Sequence, residues 1–191
     1  MNVLHIITYV PNGEGAPYFF DIEWVPDLPT LHYPSGNPME HSLSSHYRAI
    51  ADIPKINADW LPDHFLASKD LLSVCDHLGC SYISHPIELN IQDKVSGKEY
   101  FFFVTPDRGN AMDLEKSKFT LGTNPKIDTP MSNTPTYERI EKLVIFKNIE
   151  SDLSHLEEIQ EVVYSSDFRD TYIKESLSFK NRRGLSICAL G

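Results

Sequence analysis

The chain has 191 residues, of which 41% are hydrophobic and 23% are charged, and its formal net charge at pH 7 is −10. This composition is typical of a folded domain and argues against disorder. The negative charge disfavours nucleic acid as a partner, and the longest apolar stretch is far short of the ~20 residues that cross a membrane. We therefore expect a globular protein whose best electrostatic match is a basic protein surface.

The first 60 residues predict two strands, at 2–10 and 18–24, which are joined by a turn rich in glycine, proline and asparagine. A proline-rich loop follows. The spacing of Leu43, Tyr47 and Ile50 then predicts a helix at about 38–51, because these residues would share one helical face.

The N-terminal apolar run at 3–10 is a buried strand in this interpretation and not an export signal. No basic residue precedes it, and no small residues suited to cleavage follow it. The chain has three cysteines, which makes a disulfide framework improbable. We expect a cytoplasmic protein.

Two segments of the chain resemble each other at an offset of 97 residues. Each begins with a serine that can cap a helix, continues as a short helix, and ends in a strand with an aromatic residue near its start. The apolar positions expected to face a sheet are Leu71, Val74 and Leu78 in the first copy and Phe168, Tyr172 and Leu177 in the second. The matched pairs are Ser68 and Ser165, Asp70 and Asp167, Leu71 and Phe168, Ser81 and Ser178, and Tyr82 and Phe179.

The remaining strand signals predict an α+β fold with a mixed, mostly antiparallel sheet and short helices. Residues 81–91 and 98–104 predict a hairpin, and the second of these strands is apolar on both faces, as a central strand would be. Further strands are expected at 137–147, 161–164 and 184–190. We predict one domain over 1–191, which could be divided into 1–123 and 136–191 at the Pro/Thr/Asn-rich segment 124–135.

Catalytic patterns are weak in this sequence. Cys75 and His77 lie too close on a predicted helix to face each other, as a nucleophile and its base must. The best carboxylate cluster is Asp107, Asp113 and Glu115, which could hold a divalent metal for hydrolysis. The alternative is a turn in which Asp113 satisfies nearby backbone amides. We predict no catalytic residues, no metal and no cofactor.

One stretch of the chain carries acids and no lysine or arginine. If residues 152–159 are helical, Leu153, Leu156 and Ile159 face inward and the acids face solvent. A solvated face is the ordinary explanation, and a docking surface for a basic partner is the alternative. The acids of this stretch are Glu150, Asp152, Glu157, Glu158 and Glu161.

The order of motifs over residues 60–190 resembles immunity proteins of bacterial polymorphic toxin systems, in particular the families numbered eleven and forty-three. The resemblance lies in the LPDHF motif at 61–65, the segment VTPDRGNAMDLEKS at 104–117, the strand KLVIF at 142–146, and the two serine-capped helices. It implies a protein that neutralises a co-encoded toxin by binding it, often over the toxin's active site. It implies no catalytic residues in this chain.

Our leading hypothesis is therefore an immunity protein that occludes a cognate antibacterial toxin, such as a nuclease with a basic substrate channel. The toxin would meet the acid-only stretch first and the segment from Asp107 to Glu115 second. The alternatives are a metal-dependent hydrolase that uses Asp107, Asp113 and Glu115, and an adaptor that binds a partner without inhibiting it.

Overall fold

The computed structural model describes residues 4–9, 20–31, 37–109, 113, 115–116, 118–121, 137–142, 150–156, 161–174 and 185–190. The helices are α1 (Lys69–Leu78) and α2 (Ser166–Lys174). The strands are β1 (Leu4–Tyr9), β2 (Glu23–Val25), β3 (Tyr47–Ala51), β4 (Trp60–Leu61), β5 (Leu66–Ser68), β6 (Ile83–Ile91), β7 (Lys94–Val95), β8 (Tyr100–Val104), β9 (Arg108–Gly109), β10 (Lys118–Leu121), β11 (Tyr137–Lys142), β12 (Leu153–Leu156), β13 (Glu161–Ser165) and β14 (Leu185–Leu190).

The strands form mixed sheets, so the predicted α+β class is confirmed. Within the described residues, one sheet has the strand order β14-β1-β13-β12-β9, and the other has the order β2-β3-β6-β8-β5-β4, with β7 paired to β6. Strands β10 and β11 form a separate antiparallel pair. Most pairings are antiparallel, and the parallel ones join β3 to β6 and β9 to β12.

The two sheets contain the same four-stranded arrangement. In the first, the antiparallel pair β4-β5 leads into α1, and the chain then returns as β6, which is separated from β5 by the antiparallel strand β8. In the second, the antiparallel pair β12-β13 leads into α2, and the chain returns as β14, separated from β13 by β1. The similarity between the two segments therefore reflects a repeated structural unit.

The middle strand of each unit comes from a different part of the chain. In the first unit β8 follows β6 directly, whereas in the second unit the same place is taken by β1, at the N-terminal end of the described chain. A division into 1–123 and 136–191 would therefore separate β1 from both strands that it pairs with. The segment 124–135 itself lies outside the described residues.

Each helix begins at a serine whose hydroxyl is held by an aspartate that immediately precedes the hairpin before the helix. The Ser68 hydroxyl donates to Asp59 Oδ1 (2.6 Å) and accepts from the Leu71 amide (3.3 Å), and the Ser68 amide donates to the Asp59 carbonyl (2.7 Å). We call this pattern the Asp–Ser clamp. It gives a hydrogen-bond acceptor to one first-turn amide that has no partner within the helix, and it fixes the helix start to the preceding hairpin.

The second unit repeats the Asp–Ser clamp atom for atom. The Ser165 hydroxyl donates to Asp152 Oδ1 and accepts from the Phe168 amide (3.0 Å), and the Ser165 amide donates to the Asp152 carbonyl (3.1 Å). Both serines are buried. The serine caps predicted from the sequence are therefore confirmed, and each has an aspartate partner that the sequence comparison did not reveal.

The two helices pack against each other and share one hydrophobic core. The predicted core residues Leu71, Val74, Phe168 and Tyr172 are buried in it, and Leu78 is partly buried against it. Leu177 lies outside the described residues. The helical apolar faces therefore lie where the sequence placed them.

The predicted central strand is also confirmed. Strand β8 lies between β5 and β6, and its residues alternate between two cores. Phe102 packs with Tyr47 and Trp24 on one face, while Phe103 packs with Trp60 on the other.

One predicted helix is wrong, and the helix considered for 152–159 is not formed in the described part of that segment. Residues 38–51 contain a 3₁₀ turn at Pro38–Glu40 and the strand β3, because Tyr47, Ala49 and Ala51 alternate inward against the core with a period of two. Residues 153–156 form β12, in which Leu153 and Leu156 are buried from an extended backbone. The first two strands are also not neighbours, since β1 and β2 belong to different sheets.

No helix in the described ranges is long and apolar enough to cross a membrane.

We predict that the Asp–Ser clamp is a major contribution to stability. Ser68→Ala removes a helix cap and a hydrogen bond to the Asp59 carboxylate, whose side chain is fully buried. The expected cost is about 1–3 kcal/mol in the free energy of unfolding, measured by urea denaturation. Ser73→Ala is the matched control on the exposed face of α1 and should change stability by ~0.5 kcal/mol or less. Equal effects of the two substitutions would contradict a structural role for the clamp.

Candidate functional site

Described parts of the two acidic segments singled out in the sequence lie side by side in the structure: residues 107–109 run next to residues 151–156. Strand β9 pairs in parallel with β12, with Arg108 opposite His155. Ser151 Oγ donates to Asp107 Oδ2 (2.9 Å), and the His155 amide donates to the Asp107 carbonyl (2.8 Å). The first and second choices for a docking surface therefore meet in residues 107–109 and 150–156, which we call the β9–β12 edge.

Some of the predicted site residues on this edge hold the structure together. Asp107 accepts from Ser151 and is half-buried, and Asp152 forms the second Asp–Ser clamp. Glu150, by contrast, is exposed. Glu157 and Glu158 lie outside the described residues.

Asp113 has the structural role that the sequence offered as an alternative to metal binding. Its Oδ1 accepts from the amides of Glu115 (3.0 Å) and Lys116 (3.1 Å), and its Oδ2 pairs with Lys116 Nζ (3.0 Å). The side-chain hydrogen bond from Lys116 lowers the pKa of this carboxyl. Glu115 is exposed.

The structure does not gather the other catalytic candidates. Among the described residues, no group of three or more histidine, cysteine, aspartate and glutamate side chains is placed to hold a metal ion. Cys75 is buried within α1 whereas His77 on the same helix is exposed, so the two side chains lie on different faces.

A cleft of about 280 Å³ opens between the two repeated units. One wall comes from the β4–β5 hairpin and β8, and the other comes from the β9–β12 edge and the start of β13. Its residues combine apolar and aromatic surface with four ionisable side chains. They are Leu31, Trp60, Pro62, Asp63, Phe65, Phe103, Val104, Thr105, Arg108, His155, Glu161 and Val162.

The cleft contains two carboxylates, and the charge of Asp63 affects the pKa of Glu161. Glu161 is half-buried, and burial together with the charge of Asp63 raises the pKa of its carboxyl. Asp63 is exposed at the hairpin opposite. The two negative charges come from equivalent hairpins of the two units, so the folding of each unit sets the electrostatics of the cleft.

The β4–β5 hairpin holds a bulky residue in an unusual backbone conformation at the cleft. Phe65 has φ 54°, in the left-handed region, where it ends the 3₁₀ turn Pro62–His64. Such a conformation costs of order 1–3 kcal/mol in a residue with a side chain and is found mostly at functional positions. The Phe103 amide donates to the Phe65 carbonyl (2.8 Å), and the ring packs near Phe102. These contacts fix Phe65 and Asp63 at the cleft.

Sequence reasoning missed most of this cleft. It named Glu161, but it did not select Asp63, Phe65, Arg108 or His155 as site residues. The available signal was the LPDHF motif, which supported the resemblance to immunity proteins and contains both Asp63 and Phe65. His155 gave no signal, because its position depends on a strand that the sequence predicted as a helix.

No protein-family model matches the chain, and no curated protein matches its sequence. The cleft and the acidic edge therefore have to be interpreted from their own chemistry. A small, partly apolar cleft with facing carboxylates is suited to receive a positively charged group that also has apolar surface.

We predict that Glu161→Gln stabilises the protein at neutral pH. The folded-state pKa of Glu161 is raised, so folding favours the protonated form and stability falls as the pH rises through that pKa. Glutamine keeps the shape and carries no charge. Denaturant unfolding at several pH values should show the variant more stable than the wild type near pH 7, and the difference should vanish below the ordinary glutamate pKa of about 4.3. A pH-independent difference would contradict this origin.

Proposed function

We propose that this chain is a cytoplasmic immunity protein, which binds a cognate antibacterial toxin and covers its active site or substrate channel. In this proposal the β9–β12 edge and the adjoining cleft form the surface that meets the toxin. The observation that carries the proposal is that residues 107–109 and 151–156, which belong to the two acidic segments and lie more than 40 positions apart in sequence, meet at this edge and border a cleft.

Charge supports a basic partner. The chain carries a net charge of −10, and exposed acids such as Glu150 and Asp63 lie on or beside the proposed surface. A toxin that cleaves nucleic acid needs a basic channel to hold phosphates, and an acidic inhibitor surface is complementary to it. Such complementarity mainly accelerates association and selects the partner.

The shape of the surface also supports binding to a protein. A flat acidic edge gives charge but little affinity, whereas an apolar cleft beside it can accept an anchor residue, which usually contributes most of the binding energy. Phe65, which is partly exposed, supplies aromatic surface of this kind.

The other two hypotheses predict different outcomes. A metal-dependent hydrolase would require Asp107 and Asp113 to bind a metal, but their carboxylates already accept hydrogen bonds from Ser151 and from backbone amides. A non-inhibitory adaptor would bind a stable partner that has no toxicity of its own.

Co-expression tests the proposal directly. The product of the adjacent gene should be lethal to bacteria when expressed alone and harmless when this chain is present. A neighbour that is harmless alone, or one that stays lethal beside this chain, would contradict the immunity function. Calorimetric uptake of a divalent metal, lost on Asp113→Ala, would instead favour the hydrolase.

We predict that Glu150→Lys slows association with the toxin and reduces the dependence of the association rate on ionic strength. The substitution reverses one exposed charge on the β9–β12 edge and should leave stability within ~0.5 kcal/mol. Stopped-flow association at several salt concentrations measures the effect.

Glu23→Lys is the control for this prediction. It makes the same charge change on exposed β2, at the opposite edge of the seven-stranded sheet from β4. Equal rates and salt slopes for wild type and Glu150→Lys, or equal effects of the two reversals, would exclude this edge as the interface.

A further inference from the structure

The cleft between the two units is large enough for one side chain. Its volume of about 280 Å³ lies below the ~300–1,000 Å³ typical of small-molecule sites. One wall carries the partly exposed aromatic residue Phe65, and the two carboxylates Asp63 and Glu161 line the same space.

These features impose a specific requirement on the occupant. An apolar group alone would bury Glu161 further from water without compensating its charge, which is unfavourable. A small anion would be repelled by both carboxylates. A planar cation with an apolar stem satisfies both parts of the cleft, because it can pair with carboxylates while its stem and face contact aromatic rings.

We propose that the cleft binds an arginine side chain presented by the toxin, with its guanidinium between Asp63 and Glu161 and its stem against Phe65. The inference rests on the proposed function for the identity of the partner. It gives the interaction an anchor, and a catalytic or phosphate-binding arginine of a nuclease would be a suitable occupant, since its removal from the channel would itself inhibit the enzyme.

Two other ionisable side chains, Arg108 and His155, line the same cleft from the β9–β12 edge. Entry from the side of the β4–β5 hairpin brings the guanidinium first to Asp63, which is exposed there. Asp63 would therefore attract the cation first, and Glu161 would hold it deeper in the cleft.

The chain contains its own reporters for a binding experiment. It has two tryptophans, of which Trp60 lines the cleft and Trp24 packs in the other core with Tyr47 and Phe102. The side-chain N–H signals of these tryptophans can be followed by NMR in the full-length, ¹⁵N-labelled chain and assigned with Trp24→Phe. The probes are N-acetyl-arginine amide and its neutral analogue N-acetyl-citrulline amide.

The arginine probe should shift the Trp60 signal in a saturable way, with a dissociation constant in the millimolar range, and should leave Trp24 unchanged. The citrulline probe should bind at least about ten-fold more weakly, because it lacks the charge. Glu161→Gln should weaken arginine binding by a similar factor, and Asp63→Asn should weaken it less. Glu23→Lys should bind like the wild type.

Three results would overturn the inference: no saturable Trp60 shift, equal binding of the two probes, or unchanged binding by Glu161→Gln. An unchanged Trp24 signal in each variant shows that the fold is retained. The titration contains no toxin, so its outcome is separable from the co-expression result. If the chain rescues cells from the toxin but does not bind arginine, the immunity function stands and the arginine anchor is excluded. If the chain binds arginine but does not rescue cells, the arginine site stands and the immunity function is excluded.

Discussion

An aspartate hydrogen-bonded to the capping serine of each helix is the constraint on which the rest of the structure depends. The Asp59 side chain is fully inaccessible to solvent, so its charge must be compensated within the protein. Ser68 and Lys98 provide this compensation, and Ser68 transmits it to the first turn of α1. Because Asp59 immediately precedes β4, the Asp–Ser clamp fixes the β4–β5 hairpin and the helix as one body. Asp152 does the same for β12, β13 and α2.

The repeated clamp also explains where the cleft lies. The hairpins that the two clamps fix, β4–β5 and β12–β13, supply residues to opposite walls: Asp63 and Phe65 to one, His155 and Glu161 to the other. The two hairpins are structurally equivalent, but they place different residues in the cleft between them. Asp107 and Asp152 make hydrogen bonds within the scaffold, whereas the proposal assigns Glu150 and Glu161 to a partner.

The parts of the fold that could be predicted from the sequence are those with a strong local signal. The serine caps, the doubly buried strand β8, and the buried faces of both helices follow from residue spacing and were correct. Strands β3 and β12 were missed because, over a short window, the spacing of apolar residues such as Tyr47 and Leu153 fits both a helix and a strand. Pairing with other strands makes these segments extended. The cleft was missed because it joins residues about 90 positions apart, and only the strand pairing brings them together. Neither the Asp–Ser clamps nor the place of β1 in the second unit has a local signature.

The central claim is that a partner binds at the cleft and the β9–β12 edge. Amide hydrogen exchange of the full chain, measured with and without the purified cognate toxin, tests this claim most directly. The account predicts that the toxin slows exchange in the β4–β5 hairpin, in 104–109 and in 150–156, and leaves β2 and β3 unchanged. Protection confined to β2 and β3, with unchanged exchange around Asp63 and His155, would contradict it.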